Sequence, residues 1–241
     1  MKYLKTLEYK KPEKKIYYYN NGNISSIEYT LNGIFHREDG PAFQDWYYNG
    51  KKQTEKYYIN GKLHRKDGPA KQTWYNDGKP ASILYYINNI LHREDGPAII
   101  RYHINIYSGG KNIKKEEKYY INGKKHREDG PANQSWYENG QINKEEYYIN
   151  GKYHREDGPA IIRYYDNGKF KYIEYFFNDK IHREDGPAYI TFDKGGKEYV
   201  SEYYIENELY NREDWLEKLK EIKSLHYKEQ KMLYDMEKYN L

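Results

Sequence analysis

The heptapeptide His36-Arg37-Glu38-Asp39-Gly40-Pro41-Ala42 returns almost unchanged along the chain, beginning again at His92, His126, His154 and His182. A copy with Lys66 in place of glutamate begins at His64. Successive copies are 28, 28, 34, 28 and 28 residues apart. A broken copy, Asn211-Arg212-Glu213-Asp214, follows at a step of 29, with Trp215 where the glycine stood. A fixed period of this size marks a repeat protein, in which each unit packs mainly on its neighbours.

A second signal lies between the heptapeptides. An aromatic pair runs into Asn-Gly or a near variant twice per repeat, as in Trp46-Tyr47-Tyr48-Asn49-Gly50 and Tyr57-Tyr58-Ile59-Asn60-Gly61. Asn-Gly after an aromatic or β-branched run predicts a hairpin, because both central residues of a type I′ turn need positive φ. Repeats that stack by one screw operation must reverse the chain an even number of times, and these two turns already supply two reversals. The Asp-Gly-Pro-Ala segment is therefore expected to bend a long strand rather than to form a third hairpin. The fold class that follows is all-β: an elongated, single-layer antiparallel meander of about seven 28-residue repeats, two strands in each. The extra six residues of the 34-residue step, around Tyr107 to Asn112, are expected to form a longer loop.

Composition agrees. The chain has 241 residues, 33 of them tyrosine, and a formal net charge of only +4. Tyrosine supplies the burial that aliphatic residues usually give, and it suits a pleated surface. With no cysteine, a disulfide framework, a thiolate metal site and a cysteine nucleophile are excluded. The start carries no apolar signal segment, and no apolar run is long enough to span a bilayer, so cytoplasmic residence is the expectation. The charge excess sits in residues 1–15, with six lysines and two glutamates, while the remaining residues hold 35 basic and 35 acidic side chains. A neutral body argues against tracking a phosphate backbone along its length.

Three segments result: a basic start over 1–15, a β-repeat domain over 16–207 and a C-terminal amphipathic segment over 208–241. In the last, Trp215, Leu219, Ile222, Leu225, Leu233 and Met236 recur at helical spacing after a cap signal at Asn211 and Asp214. One helix over about 212–238 is expected, with Glu229 the place for an interruption. It would cap the open end of the sheet or, alternatively, bind a partner or a second copy.

The aromatic-x-Asn-Gly-Lys hairpins resemble MORN repeats, over about residues 16–207. The His-Arg-Glu-Asp-Gly-Pro-Ala element is most similar to the variant repeats of bacterial antitoxin-annotated proteins and of phage and giant-virus proteins. The resemblance implies an antiparallel sheet used as a binding or scaffolding surface, and no enzyme. For a phage protein, it implies a target such as a bacterial defence or CRISPR nuclease.

The residues offer little chemistry of their own. Six His-x-x-Asp elements invite a metal, but equivalent residues two strands apart lie roughly 9–10 Å from one another, too far for shared ligation. The aspartates are expected to hold the turn through backbone N–H groups, with the histidines and arginines bridging to neighbouring strands. Repetition itself argues against catalysis, which needs unlike groups converging on one place. No catalytic residue, metal ligand or cofactor is assigned.

Binding is the remaining possibility. Trp46, Trp74, Tyr102, Trp136, Tyr164 and Phe192 form one column, with Gln44, Gln72, Ile100, Gln134, Ile162 and Ile190 two residues before them, and this side is expected to be core. Alternation puts Tyr47, Tyr75, His103, Tyr137 and Tyr165 on the other face, and sets Tyr58 against Tyr57 and Ile59. The partner-binding set is Tyr47, Tyr58, Tyr75, Tyr120, Tyr137, Tyr148 and Tyr165, joined by Lys10, Lys11 and Lys111. The same tyrosines could equally form a ladder that only stabilises the sheet. The expected function is a non-enzymatic protein-interaction module, inhibitor- or antitoxin-like, with a protein partner. The alternatives are a single-stranded RNA or DNA binder using stacked aromatics and Lys/Arg, and a structural scaffold.

Overall fold

A computed structural model describes residues 10–104 and 112–239. The expected loop around Tyr107 and most of the basic start lie outside them. The described residues are all-β apart from one C-terminal helix, and the chain forms two units, Met1–Ile142 and Asn143–Leu241.

The first unit is an antiparallel meander that begins with Glu13–Tyr18 and Ile24–Leu31. It continues through Phe43–Trp46, Lys52–Lys56, Lys71–Trp74, Pro80–Leu84, Ile99–Tyr102, Lys114–Lys118 and Asn133–Trp136. The second unit repeats the pattern with Ile161–Tyr164, Phe170–Glu174 and Tyr189–Phe192, and ends in Glu198–Ile205 and Glu208–Tyr210. Two strands per repeat enter the sheet, as the turn spacing predicts.

The two turns of a repeat differ, where the sequence suggested one kind. Asn60 and Gly61 both have positive φ, 49° and 74°, which is the type I′ pattern. This turn closes a small hairpin, Tyr58–Ile59 with Lys62–Leu63. Asn88-Asn89, Asn178-Asp179 and Glu206-Asn207 make the same turn without glycine, so the sequence search passed over them. At Asn49-Gly50 only the glycine is left-handed, with φ 79°. There Gly50 N–H donates to Tyr47 O at 2.8 Å, and Asn49 Oδ1 accepts from Lys51 N–H at 3.1 Å. The result is a longer turn with a bulge, and the register slips between Asp45 and Trp46.

The heptapeptide bends the chain and does not reverse it. His64 N–H donates to Tyr57 O at 3.1 Å, and Tyr57 N–H donates to Ala70 O at 2.8 Å. The loop from histidine to alanine therefore bulges out opposite a single tyrosine. Lys62–Leu63 before it and Lys71–Trp74 after it both run antiparallel to the strand through Tyr57.

The core is thin and changes character between units. In the second unit Ile162, Ile173 and Ile190 pack with Tyr147, Tyr164, Tyr175 and Phe192, as the aromatic column predicts. In the first unit the equivalent place holds Gln44 opposite Glu55. Burial pushes Glu55 up, but Lys52, Tyr57 and Gln44 outweigh it and hold the carboxyl below its ordinary value. Lys52 Nζ lies 2.6 Å from Glu55 Oε2, and the Tyr57 hydroxyl donates to Oε1 at 2.9 Å. A buried carboxylate is tolerable only with such partners.

The helix runs from Arg212 to Tyr239 as one element, uninterrupted at Glu229. Asn211 caps it, accepting from Asp214 N–H at 2.9 Å. Trp215 and Leu219 are buried against Ile205, with Tyr203, Tyr210 and Ile222 around them. The first three turns thus cover the last strand pair, while Leu225, Met232 and Leu233 are exposed. No helix among the described residues is long and apolar enough to cross a membrane.

Candidate functional site

The heptapeptide loops are the most regular feature of the surface. In each, the arginine turns back over the tyrosine that its loop bulges from. Arg37, Arg65, Arg93 and Arg127 lie 4.0, 4.0, 4.0 and 4.1 Å from the ring centroids of Tyr29, Tyr57, Tyr85 and Tyr119. In the second unit Arg155 and Arg183 lie 4.0 and 3.9 Å from Tyr147 and Tyr175. A guanidinium over a ring face is a favourable cation–π contact.

The rest of the loop holds the guanidinium there. Arg93 Nε donates to Asp95 Oδ1 at 2.8 Å and Nη1 to Pro97 O at 3.3 Å. A Cβ on Gly96 would meet Arg93 Cζ at 3.1 Å, so any larger residue makes the guanidinium give way. Ala42, Ala70, Ala98, Ala132, Ala160 and Ala188 are fully buried at 0 % exposure. The hydrogen bond from arginine, then its charge, holds Asp39, Asp95, Asp129 and Asp157 below the ordinary aspartate value. The expected role of the aspartates shifts accordingly. Their main partner is the arginine two residues earlier, because the loop folds that side chain inward.

His36 and His92 bridge to the next repeat as expected, while His154 Nδ1 is buried without a hydrogen-bond partner among the described residues. His36 Nδ1 accepts from Asn60 N–H at 3.0 Å, and His92 Nδ1 from Asn122 N–H at 3.1 Å. Arg37 N–H donates to Tyr58 O at 3.0 Å. The loops at His36 and His92 are thereby tied to the next small hairpins.

Recesses lie between consecutive loops. One of about 520 Å³ is lined by Arg37 to Gly40, Tyr57, Ile59 and His64 to Asp67. Its equivalents hold about 580 Å³ beside Arg93 and about 510 Å³ beside Arg155. Before the first loop, Lys11 and Pro12 stand where a preceding loop would be. Among the described residues no three His, Asp or Glu side chains come together as a metal site would need.

The predicted tyrosines do not form one open row. Tyr47, Tyr75 and Tyr165 donate their hydroxyls to Trp74 O, Tyr102 O and Phe192 O at 2.8, 2.7 and 2.9 Å. His103, in the same column, donates from Nε2 to Trp136 O at 2.8 Å. Tyr137 is half-buried, and its N–H donates to Gln141 O at 2.9 Å. Tyr58 stacks on Phe35 at 5.4 Å, and burial pushes its hydroxyl up, as it does that of Tyr120. Tyr148 is buried at 6 %, with its ring 4.2 Å from Tyr153, which corrects the expectation that it faces outward. These tyrosines belong to the small hairpins, whose rings pack on one another, a contact that strand alternation alone does not reveal. Lys10 and Lys11 are exposed, and Lys111 lies outside the described residues.

The sequence search did not single out the sheet positions that change from repeat to repeat. Where one repeat has Lys56, its equivalents are Glu28, Leu84, Lys118, Glu146, Glu174 and Glu202. Where one has Lys71, the others have Phe43, Ile99, Asn133, Ile161 and Tyr189. In the second unit this column holds Arg163 Nη2 and Lys144 Nζ at 3.0 and 3.1 Å from Glu146 Oε1. Burial raises Glu174 there above the ordinary glutamate value. The signal was legible as variation within an otherwise strict period.

No family model matches the chain, and no curated protein is significantly similar to it.

Proposed function

We propose that the protein is a non-enzymatic interaction module whose ligand is another protein, acting by occupancy in an inhibitor- or antitoxin-like way. One observation carries this. The arginine and alanine common to the loops are consumed inside the fold, arginine by tyrosine and aspartate and alanine by burial. What is left to face a ligand is the loop carboxylates, the aspartate side chains being 81–84 % exposed. Like groups presented by repeat after repeat make a surface for a partner to occupy, and catalysis would instead need unlike groups brought to one point. The likeness of the hairpins to MORN repeats supports the same conclusion.

The test is affinity capture from native-host lysate at low salt, with and without nuclease. A stoichiometric protein that survives nuclease is the expected result. Nucleic acid recovered without a stable protein would overturn the proposal in favour of a base-stacking surface.

A further inference from the structure

Lys56 and Lys71 are direct partners across two neighbouring strands, with Thr54 opposite Thr73 two residues along on the same face. Like charges placed directly opposite one another destabilise a sheet. Both lysines are half-buried. Burial, then Lys56 and Arg101, hold the Lys71 ammonium below the ordinary lysine value.

Lys71 is not neutralised within the fold, and Lys56 is compensated only in part. Among the described residues, Lys71 has no hydrogen-bonded or ion-paired partner, and the Lys56 ammonium lies 4.8 Å from the centroid of the Phe43 ring. The carboxylate that acts on Lys56 is that of Asp45, itself pushed up by burial and with one oxygen buried and unbonded. The other cations of this face are already matched, since Arg101 and Lys118 both bond Glu116.

The fold does not require this pair. The equivalent cross-strand pairs are Phe43 opposite Glu28, Ile99 opposite Leu84, Asn133 opposite Lys118, Ile161 opposite Glu146 and Tyr189 opposite Glu174. Only one repeat sets two cations against each other, and an apolar pair fills the same place in the next.

We propose that Lys56 and Lys71 form an oxyanion site, which takes a carboxylate or a phosphorylated side chain from the protein partner. The idea rests on the protein-binding function proposed above and names the chemistry of its ligand. An oxyanion between the two ammonium groups relieves their repulsion. A nucleic acid strand is disfavoured, because successive phosphates need a run of unmatched cations and this face offers one pair.

The experiment uses the full chain and three fluorescein-labelled probes of equal charge at one ionic strength. They are an acetylated hexa-aspartate peptide, a phosphoserine peptide and a single-stranded oligonucleotide. Anisotropy is expected to show binding of a peptide, and the tighter of the two identifies the source of the oxyanion. Lys56→Met and Lys71→Met should each weaken it at least tenfold, while their melting temperatures equal or exceed that of the wild type. Unchanged affinity in both variants, no peptide binding, tighter oligonucleotide binding, or a lowered melting temperature in both variants would overturn the proposal. Capture from lysate separates the two ideas. A protein captured by a chain that ignores both peptides removes only the oxyanion site, whereas failure to capture any protein removes the interaction module itself.

Discussion

The guanidinium carbon of Arg93 lies 4.0 Å from the centroid of the Tyr85 ring, and Tyr85 is the residue whose N–H and C=O close the ends of the loop that carries Arg93. Side-chain stacking and backbone pairing thus fix the same loop from two directions. Lysine has neither the flat face nor the fork geometry of arginine. Arg93→Lys is expected to lower stability by about 1 kcal/mol and Arg93→Ala by about 1–2 kcal/mol. A double-mutant cycle with Tyr85→Leu, followed by chemical denaturation, measures the coupling.

Gly96 is held by space rather than by backbone angle. The Cβ of Gly96→Ala would sit 3.1 Å from Arg93 Cζ and displace the guanidinium. The variant should lose about 1–2 kcal/mol on its own. In an Arg93→Ala background the same change should be neutral or slightly stabilising, because alanine restricts the unfolded chain. Equal losses in both backgrounds would refute the steric account.

The tyrosine column invites a direct comparison of stability and binding. Tyr47→Phe removes a hydroxyl that donates to Trp74 O at 2.8 Å. A loss of about 0.5–1.5 kcal/mol is expected in denaturation. Partner affinity should stay unchanged if this column is structural, and surface plasmon resonance with the captured partner reads that directly.

Acid should weaken the loops. The aspartates are held below the ordinary value of 3.8 by the arginine bond. Unfolded chains then bind more protons than folded ones, so stability falls as pH drops through the lowered values. The contribution is complete above the ordinary aspartate value. Replacing all six loop aspartates by asparagine should lower the melting temperature at neutral pH and flatten its dependence on pH below about 4.

Glu174 should show the opposite sign. Burial raises its pKa, so its charge works against folding at neutral pH. Glu174→Gln is expected to raise the melting temperature by about 1–3 °C at pH 7. That gain should vanish below the ordinary carboxylate range, where the wild-type residue is protonated as well.

Much of this was written in the chain. The 28-residue period fixed the number of strands per repeat, and two reversals per repeat forced the heptapeptide to bend instead of turn. Asn211 and Trp215 marked the helix start, since the cap and the apolar spacing are both local signals. Three things needed the folded structure. Arg93 and Tyr85 are eight residues apart, and nothing local says that the guanidinium folds back over that ring rather than reaching a neighbouring strand. Tyr148 sits at an alternation position that reads as exposed, yet it is buried at 6 %, because packing around the small hairpins decides burial where a sheet is one layer thick. Lys56 and Lys71 are fifteen residues apart, and only strand register makes them direct neighbours. Period and turn chemistry are properties of short segments and survive in the sequence. Cross-strand opposition and burial depend on which segments meet, and that was decided by the sheet.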